Sequence, residues 1–107
     1  MNSMSERQKA FERKFVIDEE VRFKVTAARN RYMAEWFADA VGFSTEEKQE
    51  YIIALVEAYL KDPGDQDVIN KLKADLEQHD QLFSEKELRF KLDIFFAQAR
   101  DDFMNAD

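Results

Sequence analysis

Apolar residues recur at helical spacing in four blocks of the chain. In the first, Val21, Val25, Ala28, Tyr32 and Trp36 fall on one face. Ile52, Leu55, Val56 and Tyr59 make the second stripe, and Val68, Ile69, Leu72 and Leu76 the third. The fourth is Leu88, Leu92, Phe95, Phe96, Ala99 and Phe103. Between the blocks stand helix punctuators. Asp18-Glu19-Glu20 reads as a helix start, with a capping Asp and acidic residues in the first turn. Gly42 suits a residue just past a helix end, and Ser44 with Glu47 and Ser84 with Glu87 have capping-box spacing. Asp62-Pro63-Gly64 stops a helix, and Asp65 is placed to cap the next. The pattern predicts helices over about 19–41, from the Ser44 box to about 61, 66–78 and 85–104. No segment alternates as a half-buried strand does. The expected fold is all-α, a small four-helix bundle whose short connections make neighbours antiparallel.

A further stripe lies upstream. Met4, Phe11 and Phe15 share a helical face, but extended along one helix it meets Arg22 and Arg29, roughly 80° from the Val21 face. One straight helix cannot bury both stripes in one narrow seam. Residues 1–17 are therefore expected to form a mobile amphipathic arm, with the bundle at 18–107. Ser3 and Glu6 offer the arm a capping box, and Arg7, Lys9, Arg13 and Lys14 surround the Phe11/Phe15 ridge. So short a helix is marginal in water alone. It is expected to be disordered or partly helical until something covers the two rings, the alternative being that they fold back onto this protein's own bundle.

Composition narrows the chemistry. The chain has 107 residues, enough for one compact domain, with 2 Gly and 1 Pro to turn it. Without Cys there is no disulfide and no thiolate nucleophile or ligand. His79 is the sole histidine and is best used at the end of the third helix. Asp65-Gln66-Asp67 begins like a calcium loop, but Ile69 and Leu76 stand where ligands are needed. No glycine-rich phosphate loop is present. No catalytic residue, metal site or required cofactor is therefore expected, and an enzyme is the weaker reading. One polar constellation remains. Lys24, Arg29, Arg31, Arg89 and Lys91 form an anion or nucleotide patch if the first and last helices adjoin, and are otherwise solvated or paired with acids.

Net charge is −7, unevenly spread. Residues 1–31 hold 8 basic against 5 acidic side chains, and the remainder 8 against 18. The acidic majority excludes a nucleic-acid partner, and a basic arm on an acidic body suits a protein partner. The N-terminus lacks the apolar run of a secretory signal, and the longest apolar cluster, Tyr51 to Val56, is far too short to span a membrane. A cytoplasmic protein-interaction module, monomeric when free, is expected. Two classes stay open: a binding inhibitor acting through the arm, and a helical adaptor or small nucleotide-responsive regulator acting through the bundle surface.

The runs QKAFERKF at Gln8–Phe15 and DEEVRFKVTAARNR at Asp18–Arg31, with DPGDQDV at Asp62–Val68 and LRFKLD at Leu88–Asp93, resemble the ATPase inhibitor subunit zeta family of alphaproteobacteria. The similarity covers nearly the whole chain with consistent spacing. It implies a four-helix bundle with a mobile inhibitory N-terminus. That segment would enter a catalytic interface of the rotary head of the F-type ATP synthase, become helical there and block rotation in the hydrolysis direction. On this resemblance the protein catalyses nothing and sits peripheral to the inner membrane through the synthase. Its partner-binding residues would be Met4, Arg7, Lys9, Phe11, Arg13, Lys14 and Phe15.

Overall fold

A computed structural model describes the backbone from Ser3 to Asn105 and the side chains from residue 19 through residue 105. Four helices follow in order: α1 Ser3–Val41, α2 Thr45–Lys61, α3 Asp65–Gln78 and α4 Glu85–Asn105. No strand occurs among the described residues. The all-α four-helix architecture is the one predicted. The helix start expected at Asp18 is not a terminus, because α1 continues through it from Ser3 to Val41. The physical reason is that α1 holds neither Gly nor Pro, so nothing interrupts its backbone ladder, and Asp18 has no cap to supply. The side chains of the expected mobile arm, residues 1–17, lie outside the described residues.

Local chemistry sets the other boundaries. Ser44 Oγ accepts from the Glu47 amide at 3.2 Å while the Ser44 amide donates to Glu47 Oε1 at 3.0 Å. Ser84 and Glu87 repeat the box at α4, at 3.1 and 3.3 Å. Hydrogen bonding from the Ser44 amide, and then from its side chain, holds the Glu47 carboxyl below its ordinary pKa. At the end of α1, Gly42 takes φ 79°, and the Phe43 and Gly42 amides donate to Ala38 O at 2.8 Å and Asp39 O at 3.3 Å. This is a Schellman cap. The same cap closes α3 with a residue the sequence did not single out. Asp80 sits at φ 60°, and Gln81 and Asp80 donate to Leu76 O and Glu77 O at 2.9 and 3.1 Å. The expected Asp65 cap is absent. Gly64 is the N-cap of α3 without a side-chain bond, and the Asp65 carboxylate turns instead to α1.

α1 is the central element, packed most extensively against α4 and α2. The core joins Met33, Ala34 and Phe37 of α1, Leu55 of α2, Val68, Ile69, Leu72 and Leu76 of α3, and Leu88 and Leu92 of α4. Phe37 stacks on Tyr51 with ring centres 4.3 Å apart and meets Phe43 and His79 edge-on. Burial and a hydrogen bond to Asp75 Oδ2 at 2.7 Å push the Tyr51 phenol well above its ordinary pKa.

The stripe expected on α1 is only one edge of its buried face. Of its five residues Val25 is fully buried, while Val21, Ala28, Tyr32 and Trp36 are half-buried. Among the described side chains of α1 the buried set is Val25, Thr26, Arg29, Asn30, Met33, Ala34, Phe37 and Ala38. Helices on both sides of α1 widen its face beyond a single seam. On α4, Leu88, Leu92 and Ala99 are buried as expected, but Phe95 and Phe96 are half-buried and Phe103 is exposed, since α4 has a partner on only part of its circumference.

Phe37→Ala removes a side chain enclosed on all sides and should cost about 3–5 kcal/mol in urea unfolding. Phe23→Ala removes a ring that is 59% exposed and should stay within about 0.5 kcal/mol. A methyl group on Gly42 meets no atom within 4 Å, so Gly42→Ala isolates the left-handed backbone strain, about 1–2 kcal/mol. Asp80→Gly should stabilise by up to about 1 kcal/mol for the converse reason.

Candidate functional site

Three of the five cations proposed for an anion patch are exposed and Lys91 is half-buried, and each of the five meets a different neighbour. Lys24 Nζ stands 5.8 Å from the Phe103 ring centre and Lys91 Nζ 4.6 Å from that of Trp36. Arg31 bridges Glu35 at 3.5 Å and lies over the Tyr32 ring. Arg89 donates to Gln66 Oε1 at 2.6 Å. α1 and α4 do adjoin, but positions two apart on a helix point nearly opposite ways, which separates Arg29 from Arg31 and Arg89 from Lys91.

Arg29 is the exception in environment. Its guanidinium is enclosed, with 7% of the side chain exposed. Nε and Nη2 donate to Asn30 Oδ1 at 3.2 and 2.9 Å, and Nη2 also donates to Asp65 Oδ1 at 3.0 Å. The Tyr59 ring lies beneath it at 6.0 Å. A polar cleft of about 200 Å³ runs past this cluster, lined by Arg22, Thr26, Arg29, Tyr59, Asp65, Asp93 and Phe96. It takes in Arg29 and none of the other four proposed cations. Two carboxylates in the same cleft, Asp65 and Asp93, oppose binding of an anion there. Asn30 is fully buried, and its Nδ2 has no partner among the described residues. The ion pair ties α1 to the first residue of α3. The sequence offered Arg29 as a surface cation because the narrow stripe through Val21 and Trp36 leaves it outside. The signal that identifies it is its one-turn offset from Val25 and Met33 on the wider face.

Beside Asp65, the carboxyls of Asp62 and Asp67 approach across the α2–α3 turn. A hydrogen bond donated by the Asp67 carboxyl to Asp62, together with the negative charge of Asp62, raises the Asp67 pKa. Among the described residues no group of three His, Cys, Asp or Glu is placed to hold a metal ion. No described helix is long and apolar enough to cross a membrane.

A protein-family model described as ATPase inhibitor subunit zeta matches residues 1–102. The chain belongs to that family. Curated proteins and solved structures gave no match. The family is one of inhibitor subunits, which act on an ATPase and are not themselves the catalyst. The match includes residues 1–17, where Met4, Arg7, Lys9, Phe11, Arg13, Lys14 and Phe15 were proposed to contact a partner; their side chains lie outside the described residues.

Asp65→Ala should destabilise the bundle by about 1–2 kcal/mol in urea unfolding. That is less than the ~3–5 kcal/mol of breaking a fully buried pair, since the Asp65 side chain is 46% exposed. Arg29→Met combined with Asp65→Ala should recover most of the loss, as no charge is then left enclosed. Asp67→Asn should raise the thermal midpoint at neutral pH. A carboxyl whose folded pKa is raised penalises folding once pH rises through that value and has no effect when both states are protonated. The gain should therefore fade as pH falls below the carboxylate range.

Proposed function

We propose that this protein inhibits ATP hydrolysis by the F-type ATP synthase by placing residues 1–17 in a catalytic interface of the rotary head. The carrying observation is that the family match begins at residue 1 and runs through the bundle. It takes in the basic segment with the Phe11/Phe15 ridge as well as the packed body. The structure supports a division of labour. Among the described residues the core cluster runs from Met33 to Leu92. That leaves residues 1–17 to act as the inserted element and the bundle from residue 18 as the stop that holds it in register.

The energetics fit a contact made in an enclosed cleft. Fixing a residue's backbone costs roughly 1–2 kcal/mol. Burying Phe11 and Phe15 contributes about 1.5–3 kcal/mol each. Met4 and the charges of Arg7, Lys9, Arg13 and Lys14 must add to that, which a surface contact in water would not achieve. A helix already begun at Ser3 lowers the ordering cost. The partner is the head of the synthase, so the protein works on the cytoplasmic side, peripheral to the inner membrane through that complex. A nucleotide-responsive role for the five basic residues is the weaker reading, because Arg29 is already engaged by Asp65 and Asn30.

The test is ATP hydrolysis by the isolated head, titrated with the full chain and with a variant lacking residues 1–17. The full chain should inhibit. The shortened one should keep its helical circular dichroism and lose inhibition. Phe11→Asp in the full chain should weaken inhibition at least about tenfold, the equivalent of ~1.4 kcal/mol. Equal inhibition by the two lengths would move the active surface to the bundle.

A further inference from the structure

The outer face of α2 has a chemistry the fold does not use. Glu46, Glu50, Ile53, Glu57 and Leu60 follow one another at alternating steps of four and three, which keeps all five on one side of the helix. All are exposed, and the two aliphatics retain 55% and 53% of their surface. None of the three carboxylates enters an ion pair among the described residues. The neighbouring lysine, Lys48, turns away to Asp39 at 2.7 Å. The stripe is therefore acidic and apolar, and its complement is a basic helix with large apolar side chains.

This chain contains one such segment. Residues 7–15 carry Arg7, Lys9, Arg13 and Lys14 with Phe11 and Phe15 one turn apart. We propose that the outer stripe of α2 receives the N-terminal segment of a second copy of this protein, in a reciprocal two-fold dimer. The register follows from α1. Arg29 lies over Tyr59, and Arg22 shares a cleft with it, so the C-terminal end of α2 sits beside residues 22–29 of α1. From there α1 continues as a helix toward Ser3, past the end of its own α2. Its basic segment reaches its own stripe only if α1 breaks. With two α1 helices antiparallel about a two-fold axis between residues 21 and 22, each segment runs along the partner's α2.

The lengths agree. Residues 3–18 of a helix span about 24 Å, and the 17 residues of α2 span about 25 Å. Phe15 then falls near the partner's Leu60, and the arm's basic side chains run beside the partner's Glu57 and Glu50. Two-fold symmetry makes each contact twice, which brings the buried area toward the about 1,000 Å² a specific interface needs. This departs from the monomer expected from the sequence. Combined with the proposed inhibitory role, it has a regulatory consequence: the dimer covers the residues that the ATPase would have to receive, so the monomer is the active form.

Sedimentation equilibrium tests the contact without any ATPase. Three full-length proteins are compared: wild type, Glu50→Lys/Glu57→Lys and Arg13→Glu/Lys14→Glu. All the α2 substitutions are at exposed positions, and circular dichroism confirms that each protein is folded. Wild type should form a dimer that weakens as salt rises from about 0.05 to 0.5 M, since exposed charges are then screened. Each double variant should dissociate at least about tenfold more readily, because like charges now face one another. Mixing the two variants should restore the dimer, since both contacts again pair opposite charges. A wild-type monomer at every concentration up to about 1 mM, variants that associate as tightly as wild type, or a mixture that stays monomeric would each overturn the proposal. In hydrolysis assays at high inhibitor concentration, Glu50→Lys/Glu57→Lys should inhibit more per molecule. A confirmed dimer with unchanged inhibition would support the contact and count against the role proposed for the arm.

Discussion

The bundle depends on the enclosure of α1. A helix with neighbours on one side buries a single stripe, and its polar residues stay in water. α1 has α2 and α4 against it together with a smaller contact from α3, so its buried face extends around to positions that carry Thr26, Arg29 and Asn30. Burying those groups is costly unless they are bonded. The structure meets most of the requirement by turning the Asn30 amide oxygen and the Asp65 carboxylate toward the Arg29 guanidinium. The arrangement fixes where α3 begins relative to α1 and explains why Asp65 is unavailable as a cap for its own helix. The remaining Asn30 Nδ2 is a cost of the same geometry.

The fold was legible because the signals that define it are local. Two capping boxes, one glycine cap and the Pro63-Gly64 stop place the end of α1, both ends of α2 and the starts of α3 and α4 within a residue or two of where they occur. The Asp80 cap was not legible, since aspartate adopts the left-handed conformation only when the surrounding chain requires it. Nor was the continuity of α1. Asp18-Glu19-Glu20 has the composition of a helix start, but acidic residues are also acceptable inside a helix when nothing breaks the ladder. The width of the α1 face was missed because periodicity in one helix reveals its own apolar residues and not how many neighbours it will have. For the candidate site the same limit applies. Sequence found the five basic residues, but whether they converge depends on the rotation of α1 against α4, and Arg29 turned inward.

Function was legible on a different basis. The segmental arrangement, with a basic amphipathic N-terminus ahead of an acidic bundle, can be read from charge and periodicity alone. The family match covers both parts. An inhibitor working in the proposed way would separate two physical demands. The body needs a dense interior that keeps its shape, and the segment needs side chains that a partner can enclose.

Trp36 supplies an optical property that follows from its position. It is the only tryptophan in the chain, half-buried where α1 meets the start of α4, with the Phe83 ring 5.2 Å away edge-on and the Lys91 ammonium 4.6 Å from its ring centre. A nearby cation and partial exposure make indole emission sensitive to small changes in the seam. The chain therefore carries its own fluorophore at one joint, remote in sequence from residues 1–17. A change in emission on binding a partner would report strain transmitted along α1 into the body, and constant emission would report a body that stays rigid while its other end is engaged.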